Sequence, residues 1–564
     1  MRALAQIFSL CIGVCAAFPN TINDDSYEQP IYSNTIQRFS QTTETRPEQD
    51  VRALKKVFLS NRSITCNDGS QSGFYLRKSH TSKKWIIFLE GGWYCYDHHS
   101  CRTRWLHQRH YMTSSQWPDT RDIGGILSNN MEENPFWWNT NHVFIPYCTS
   151  DIWSGTKQAS PQDMFSFMGS LVIQQVIKDL IPLGLENSTD LLLTGSSAGG
   201  TGVMLNLDFV KELLHEELNL KQINIRGVTD SGWFLDRSPY ALGSTLKPTV
   251  EASRKGMEYW KGKIPSRCKQ EYPYDAWKCY FGYRLYPFLK SELFVFQWLF
   301  DEAQMNADNV GTPVTKQQWD YIHKMGDALR HSFENVSAVF APSCVAHSIL
   351  TKRDWQNVKI DDISIAEALH CWEQKTSKRR SRRLKNNKMF GDQPPRLANR
   401  QMKLKHAEKI ENNLNNSTID NALESNKKKR RKKHKKNRKV KRRKDRLNQN
   451  AHANSTNQTS MPITSNTLSA LDKRAQRSVL HSQRRANGRH CAHRRMERCS
   501  WPQCNHSCPR LQNPYTGEEM GFIDLLKSFG LDMESVANAL GIDMQTLNNM
   551  DQAELLNLLT QQNS

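Results

Sequence analysis

The 564-residue chain has little that would span a membrane or stack as a repeat. Beyond its first 17 residues no stretch approaches the roughly 18 consecutive apolar residues that a bilayer crossing requires, and no internal period recurs. Residues 18–50 have no apolar period and are rich in Thr, Ser, Asn and Gln, which reads as a flexible polar leader. Residues 372–490 have few large apolar side chains and cannot bury enough surface to offset the entropy of ordering, which reads as a disordered insertion. One segment, residues 51–371, keeps most of the tryptophans and has ample length for a large core; it is the expected catalytic domain.

The chain does carry compartment signals. Residues 1–17 have one basic residue, a short apolar core and small residues before Phe18, the pattern of a secretory signal peptide. The 12 cysteines that follow it form an even set, which in an oxidising compartment reads as disulfides; Cys95 with Cys101 and Cys268 with Cys279 are plausible local bridges. The cluster of His490, Cys491, His493, Cys499, Cys504 and Cys508 has zinc-like spacing, but secretion favours disulfides and no metal is expected. No cofactor is expected either. Among several Asn-x-Ser/Thr sequons, Asn61, Asn187 and Asn335 are the expected glycan acceptors, and Asn505 is a further sequon.

Short apolar runs at 85–89, 142–146, 191–194, 223–228, 293–296 and 336–340 predict strands, and 165–180 and 202–214 predict helices between them. Strands of this kind alternating with helices predict an α/β fold, a mostly parallel central sheet with helices on both faces. Residues 491–564 are expected to be disulfide-rich and then helical, with helical spacing over 522–559.

The run at 191–194 ends in Gly195-Ser196-Ser197-Ala198-Gly199, the G-x-S-x-G of a nucleophile elbow. A serine hydroxyl is a weak nucleophile, so Ser197 needs a histidine base and an acid that fixes the ring, following it in the order Ser, Asp, His of the α/β hydrolases. Asp301, at the end of the run 293–300, is the best-placed acid, and His347, on a loop after 336–340, is the best-placed base. Asp230 is a rival acid or a buried structural carboxylate, and His323, His331 and His370 also lie downstream. The oxyanion donors are expected from Ala198, after the nucleophile, and from Gly92 and Trp93 in the glycine turn that follows 85–89.

Leu89-Glu90-Gly91-Gly92-Trp93-Tyr94-Cys95, Gly195 to Gly202, Asp230-Ser231-Gly232-Trp233-Phe234-Leu235-Asp236 and Gln297 to Gln304 resemble the Notum branch of the pectin acetylesterase family, as do blocks at 134–139, 144–148 and 150–155. The resemblance covers roughly residues 55–372 and the segment after Cys491. It implies an α/β-hydrolase fold and a secreted carboxylesterase that removes palmitoleate from a serine of Wnt proteins and so silences their signal. Carried over by motif, it implies Ser197, Asp301 and His347 as the triad and Gly92, Trp93 and Ala198 as the oxyanion hole. Trp93, Tyr94, Thr201, Phe234, Tyr280, Phe281 and Ala303 would form the acyl pocket. Burial of each methylene of a fatty acyl chain contributes about 0.8 kcal/mol in such a pocket.

The formal charge of +21 is local. Residues 372–490 hold 35 Lys and Arg against 8 Asp and Glu, a net of +27 that leaves the remainder at −6, and 16 of the 20 residues 427–446 are basic. In an extracellular protein this predicts salt-sensitive binding to heparan sulfate proteoglycans, glypicans among them, rather than to nucleic acid. Arg380-Ser381-Arg382-Arg383 and Arg474-Ala475-Gln476-Arg477 also resemble proprotein convertase sites. The competing readings are a carbohydrate O-acetylesterase of the pectin type, a lipase acting on a membrane anchor, and a non-catalytic proteoglycan-binding antagonist.

Overall fold

The computed structural model describes residues 53–241, 249–311, 313, 315–389, 491, 493–511, 527, 532–550 and 555. The signal segment, the leader 18–50, the insertion from 390 to 490 with its basic run, and most of 512–564 lie outside the described residues. Fourteen strands are described. In chain order they are β1 (Leu54–Phe58), β2 (Gly73–Arg77), β3 (Lys84–Leu89), β4 (Thr120–Arg121), β5 (Asn141–Ile145), β6 (Asp190–Ser196) and β7 (Asn224–Asp230), then β8 (Glu292–Phe296), β9 (Phe300–Asp301), β10 (Val339–Ala341), β11 (Val345–Ala346), β12 (Lys359–Ile360), β13 (Ile363–Ser364) and β14 (Arg494–Met496).

Ten of them form one sheet in the order β14-β10-β8-β7-β6-β3-β5-β2-β1-β4. The pairings from β14 to β5 are parallel, and β2, β1 and β4 add an antiparallel edge. Side-chain alternation sorts the apolar runs between two cores. Trp85, Ile87, Leu89, Leu191 and Leu193 enter the core shared with helices Gly169–Leu180 and Ala198–Glu212, while Ile86, Phe88 and Leu192 enter the opposite core, which helix Ile365–Met389 covers with Ile365, Leu369 and Trp372. The six predicted strands all occur, with shifted ends. The α/β expectation is met.

Four departures have physical causes. The second predicted helix begins at Ala198 rather than 202, because the elbow turns directly into it. The edge strands β1, β2, β4 and β14 are short or half-exposed, so they lack the apolar run that marks the central strands. β14 joins the sheet only through β10, a tertiary pairing no local pattern reveals. The domain edge expected at 371 falls inside helix Ile365–Met389: Trp372, Glu373 and Thr376 are buried, and Glu373 pairs with the buried Arg226 at 3.0 Å. That helix also contains the basic sequence 380–383, so a protease needing extended chain would first have to unwind it. In the closing segment, helices Met533–Leu540 and Met544–Asn549 are described.

All 12 cysteines expected to pair do so: Cys66–Cys148, Cys95–Cys101, Cys268–Cys279, Cys344–Cys508, Cys371–Cys491 and Cys499–Cys504. Cys371, Cys491 and His493 gather closely enough to suit a metal, but the two sulfurs are bonded to each other and offer no thiolate. Asn61, Asn187 and Asn335 are exposed. Asn505 is buried, with its amide donating to Lys359 O and Glu497 Oε2, so it is a poor acceptor despite its sequon. Among the described residues no helix is long and apolar enough to cross a membrane.

Candidate active site

The site lies at the carboxyl ends of β3, β6, β7, β8 and β10, where open α/β sheets place their ligands. Ser197 caps the helix that follows β6, at φ 58° and ψ −125°, and its N–H donates to Asp230 O at 2.8 Å. This left-handed turn costs on the order of 1–3 kcal/mol and lifts the serine off the strand. Its glycines are sterically required. A Cβ at Gly199 would sit 2.1 Å from Leu89 O, and one at Gly91, in the neighbouring loop, 2.8 Å from Ser197 Cβ.

A two-strand ladder brings the candidate acid and base together. β9 pairs with β11 in parallel register, Asp301 opposite Ala346, so the next residue, His347, meets the Asp301 carboxylate. His347 Nδ1 lies 3.0 Å from both carboxylate oxygens. Asp301 is fully buried and also accepts from Ala303 N at 3.0 Å, Gln304 N at 3.2 Å and Gln297 Nε2 at 3.0 Å, which fixes its plane. Burial works against charging the His347 ring, but the charge and hydrogen bond of Asp301, with Asp230 and Glu302 beyond, outweigh it and hold its pKa above the ordinary value. With Nδ1 engaged, Nε2 is left for Ser197, and both residues line one cleft.

Asp230 is the structural carboxylate of the two alternatives. Buried, it accepts from Ser196 Oγ, Ser231 Oγ, Ile349 N and Leu350 N, and so ties the elbow to the chain just after His347. His323 packs against Phe300 and Trp501, His331 pairs with Glu334, and His370 stacks on Phe136; none lines the cleft.

Gly92 (φ 144°) and Trp93 (φ 61°) form the tight turn after β3. Arg104, buried, donates to Gly92 O and to Ser150 Oγ, a brace the sequence reading missed because Arg104 lies on a different element with no local signal. Ala198 is the first helical residue, so its N–H has no intrahelical acceptor and opens beside Ser197.

Two cavities meet at Ser197 and Trp93. One is lined mainly by apolar groups, among them Trp93, Tyr94, Thr201, Phe234, Tyr280 and Phe281, together with Ile152, Ala198, Thr249 and Ser253. The other, a wider cleft open to solvent, holds His347, Gln108, Tyr111, Arg121 and Asp122. Ala303, expected in the acyl pocket, lines this cleft instead, because its N–H is turned onto Asp301 on the His347 side. Ile152 was missed: it comes from a loop some forty residues before the elbow, and nothing local marks it as a pocket wall.

A strained serine at the turn from a parallel strand into a helix, an Asp–His pair and free N–H groups beside it define a serine hydrolase of the α/β-hydrolase class. Residues 47–389 match the pectinacetylesterase family, and the chain belongs to that family. Its relatives include the palmitoleoyl-protein carboxylesterase NOTUM of Drosophila melanogaster, 48% identical over 91% of this chain and 87% of that one, and the human NOTUM, 36% identical over 88% and 81%. The crystal structure of the Wnt deacylase Notum from Drosophila is 60% identical, with a TM-score of 0.56 over 58% of this chain and 94% of that one. Within its family, then, the chain groups with the Notum carboxylesterases.

Proposed function

We propose that this protein hydrolyses the palmitoleate ester on a serine of Wnt proteins and thereby lowers Wnt signalling. Named relatives with that activity support the reading, and the observation that carries it is the apolar cavity opening directly at Ser197. A pectin-type O-acetylesterase needs no such pocket.

In this reading Ser197 attacks the ester carbonyl while His347 Nε2 takes its proton, and Asp301 holds Nδ1–H and stabilises the imidazolium. The N–H groups of Gly92, Trp93 and Ala198 receive the oxyanion, each worth roughly 10²–10³ in rate. The acyl chain fills the apolar cavity and the peptide leaves through the cleft. Water activated by His347 then releases the fatty acid. Purified protein should cleave medium-chain esters much faster than acetyl esters; the reverse preference would refute the lipid reading.

Secretion is part of the proposal, supported by residues 1–17 and by six disulfides. So are glycans on Asn61, Asn187 and Asn335, and retention at the cell surface by heparan sulfate proteoglycans through residues 427–446.

A further inference from the structure

The chain after β5 takes an unusual path. Ser150, Ile152 and Trp153 have φ of 52°, 54° and 59°, a region L side chains rarely adopt and a β-branched residue least of all. Such strain persists only when the surroundings over-determine it. Asp151, fully buried, does so from within the loop. Its Oδ1 accepts from Thr149 Oγ1 at 2.7 Å and Trp153 N at 3.1 Å; its Oδ2 accepts from Gly155 N at 3.1 Å and Gly169 N at 2.7 Å. Both glycines are dictated by it, since a Cβ would come within 2.3 Å of Oδ2 at Gly155 and within 2.4 Å of Oδ1 at Gly169.

The loop's other contacts lead to the reacting centre. Ile152 lines the apolar cavity. Ser154 Oγ lies 2.7 Å from the hydroxyl of Tyr280, another wall of that cavity. Trp153 Nε1 donates to Glu90 O at 3.0 Å, at the root of the oxyanion turn, and its ring packs against Gly202 of the nucleophile helix, where a Cβ would lie 2.6 Å away.

We propose that Asp151 is the positioning residue for acyl-chain selection: its carboxylate holds the strained 149–155 loop so that Ile152 and Tyr280 close the cavity around a long chain. Of its four donors only the Thr149 hydroxyl can turn round to accept, so Asp151→Asn sets an amide N–H against at least one backbone N–H, whichever way the amide is oriented. The inference rests on the reading of Ser197 as nucleophile and of the apolar cavity as acyl pocket.

The test uses the full-length protein with p-nitrophenyl acetate and octanoate. Asp151→Asn should lower the octanoate-to-acetate ratio of kcat/KM by about tenfold, chiefly through KM for octanoate. A folded variant with the wild-type ratio, or with equal losses on both esters, overturns the proposal. If Asp151→Asn fails to fold, Ser154→Ala, which removes the link to Tyr280 and the hydroxyl's bond to Asp151 O but leaves the carboxylate's four donors in place, should still lower the ratio, and an unchanged ratio again overturns it. Ser197→Ala assayed in parallel keeps the two readings apart. Turnover surviving that change defeats the assignment of the site, whereas an inactive Ser197→Ala beside an unaltered Asp151→Asn ratio defeats only the role of Asp151.

Discussion

The peptide joining Gly92 to Trp93 is planar and trans, so its C=O and N–H point in opposite directions. Arg104, by holding the Gly92 carbonyl, therefore fixes the Trp93 N–H on the opposite side of that peptide. Arg104→Ala should lower kcat roughly tenfold to a hundredfold with a smaller change in KM, measured with a soluble ester. His347 sets the pH profile. A base works when neutral, so kcat/KM should fall as pH drops through a pKa held above the ordinary histidine value, and stay level above it. Asp301→Asn removes the charge that raises that pKa; the acid limb should move to lower pH and the rate should fall by about 10⁴-fold. Ser197, Asp301 and His347, whose juxtaposition the structure shows, were candidates in the sequence because strand ends and the fixed Ser, Asp, His order mark them. Arg104 and Ile152 were not, since their contacts with the site cross between elements distant in sequence, and Asp151 was not, since its local hydrogen bonds depend on a strained backbone path that no spacing encodes.

Among the elements, the β9–β11 ladder shows how little structure assembles acid and base: two residues on each side fix the register. The central strands announced themselves because both faces are buried and the runs are continuously apolar. Helix Ile365–Met389 hid its role behind a basic sequence. Glu373 and Asp190 both pair with Arg226, which is only 1% exposed, so the helix is tied to β6 and β7 by a buried ionic group. Glu373→Ala should leave Arg226 underpaired and destabilise the protein by about 3 kcal/mol, read as a lowered urea midpoint; a change within about 0.5 kcal/mol, as for an ordinary surface substitution, would show that the helix is not anchored there.

At the scale of the molecule, Cys344–Cys508 fastens the segment after the insertion beside the chain that carries His347 three residues on. Replacing both cysteines with serine should lower kcat as well as stability, seen by ester turnover at a temperature where the fold is retained. The insertion stands apart from this chemistry in sequence: deleting residues 427–446 should lower the salt needed to elute the protein from heparin and leave ester turnover intact, and an unchanged elution would remove the proteoglycan role of that run. The α/β class and the position of the elbow followed from composition and pattern, while the disulfide partners beyond Cys95–Cys101 and Cys268–Cys279 did not, because their ends lie 82 to 164 residues apart or share a cluster with several choices. The most direct measurement is mass spectrometry of a palmitoleoylated Wnt peptide incubated with this protein and with Ser197→Ala. The account predicts loss of the palmitoleoyl mass and appearance of the free serine peptide with the wild-type protein alone. A peptide left intact by the wild type, or deacylated equally by Ser197→Ala, would contradict it.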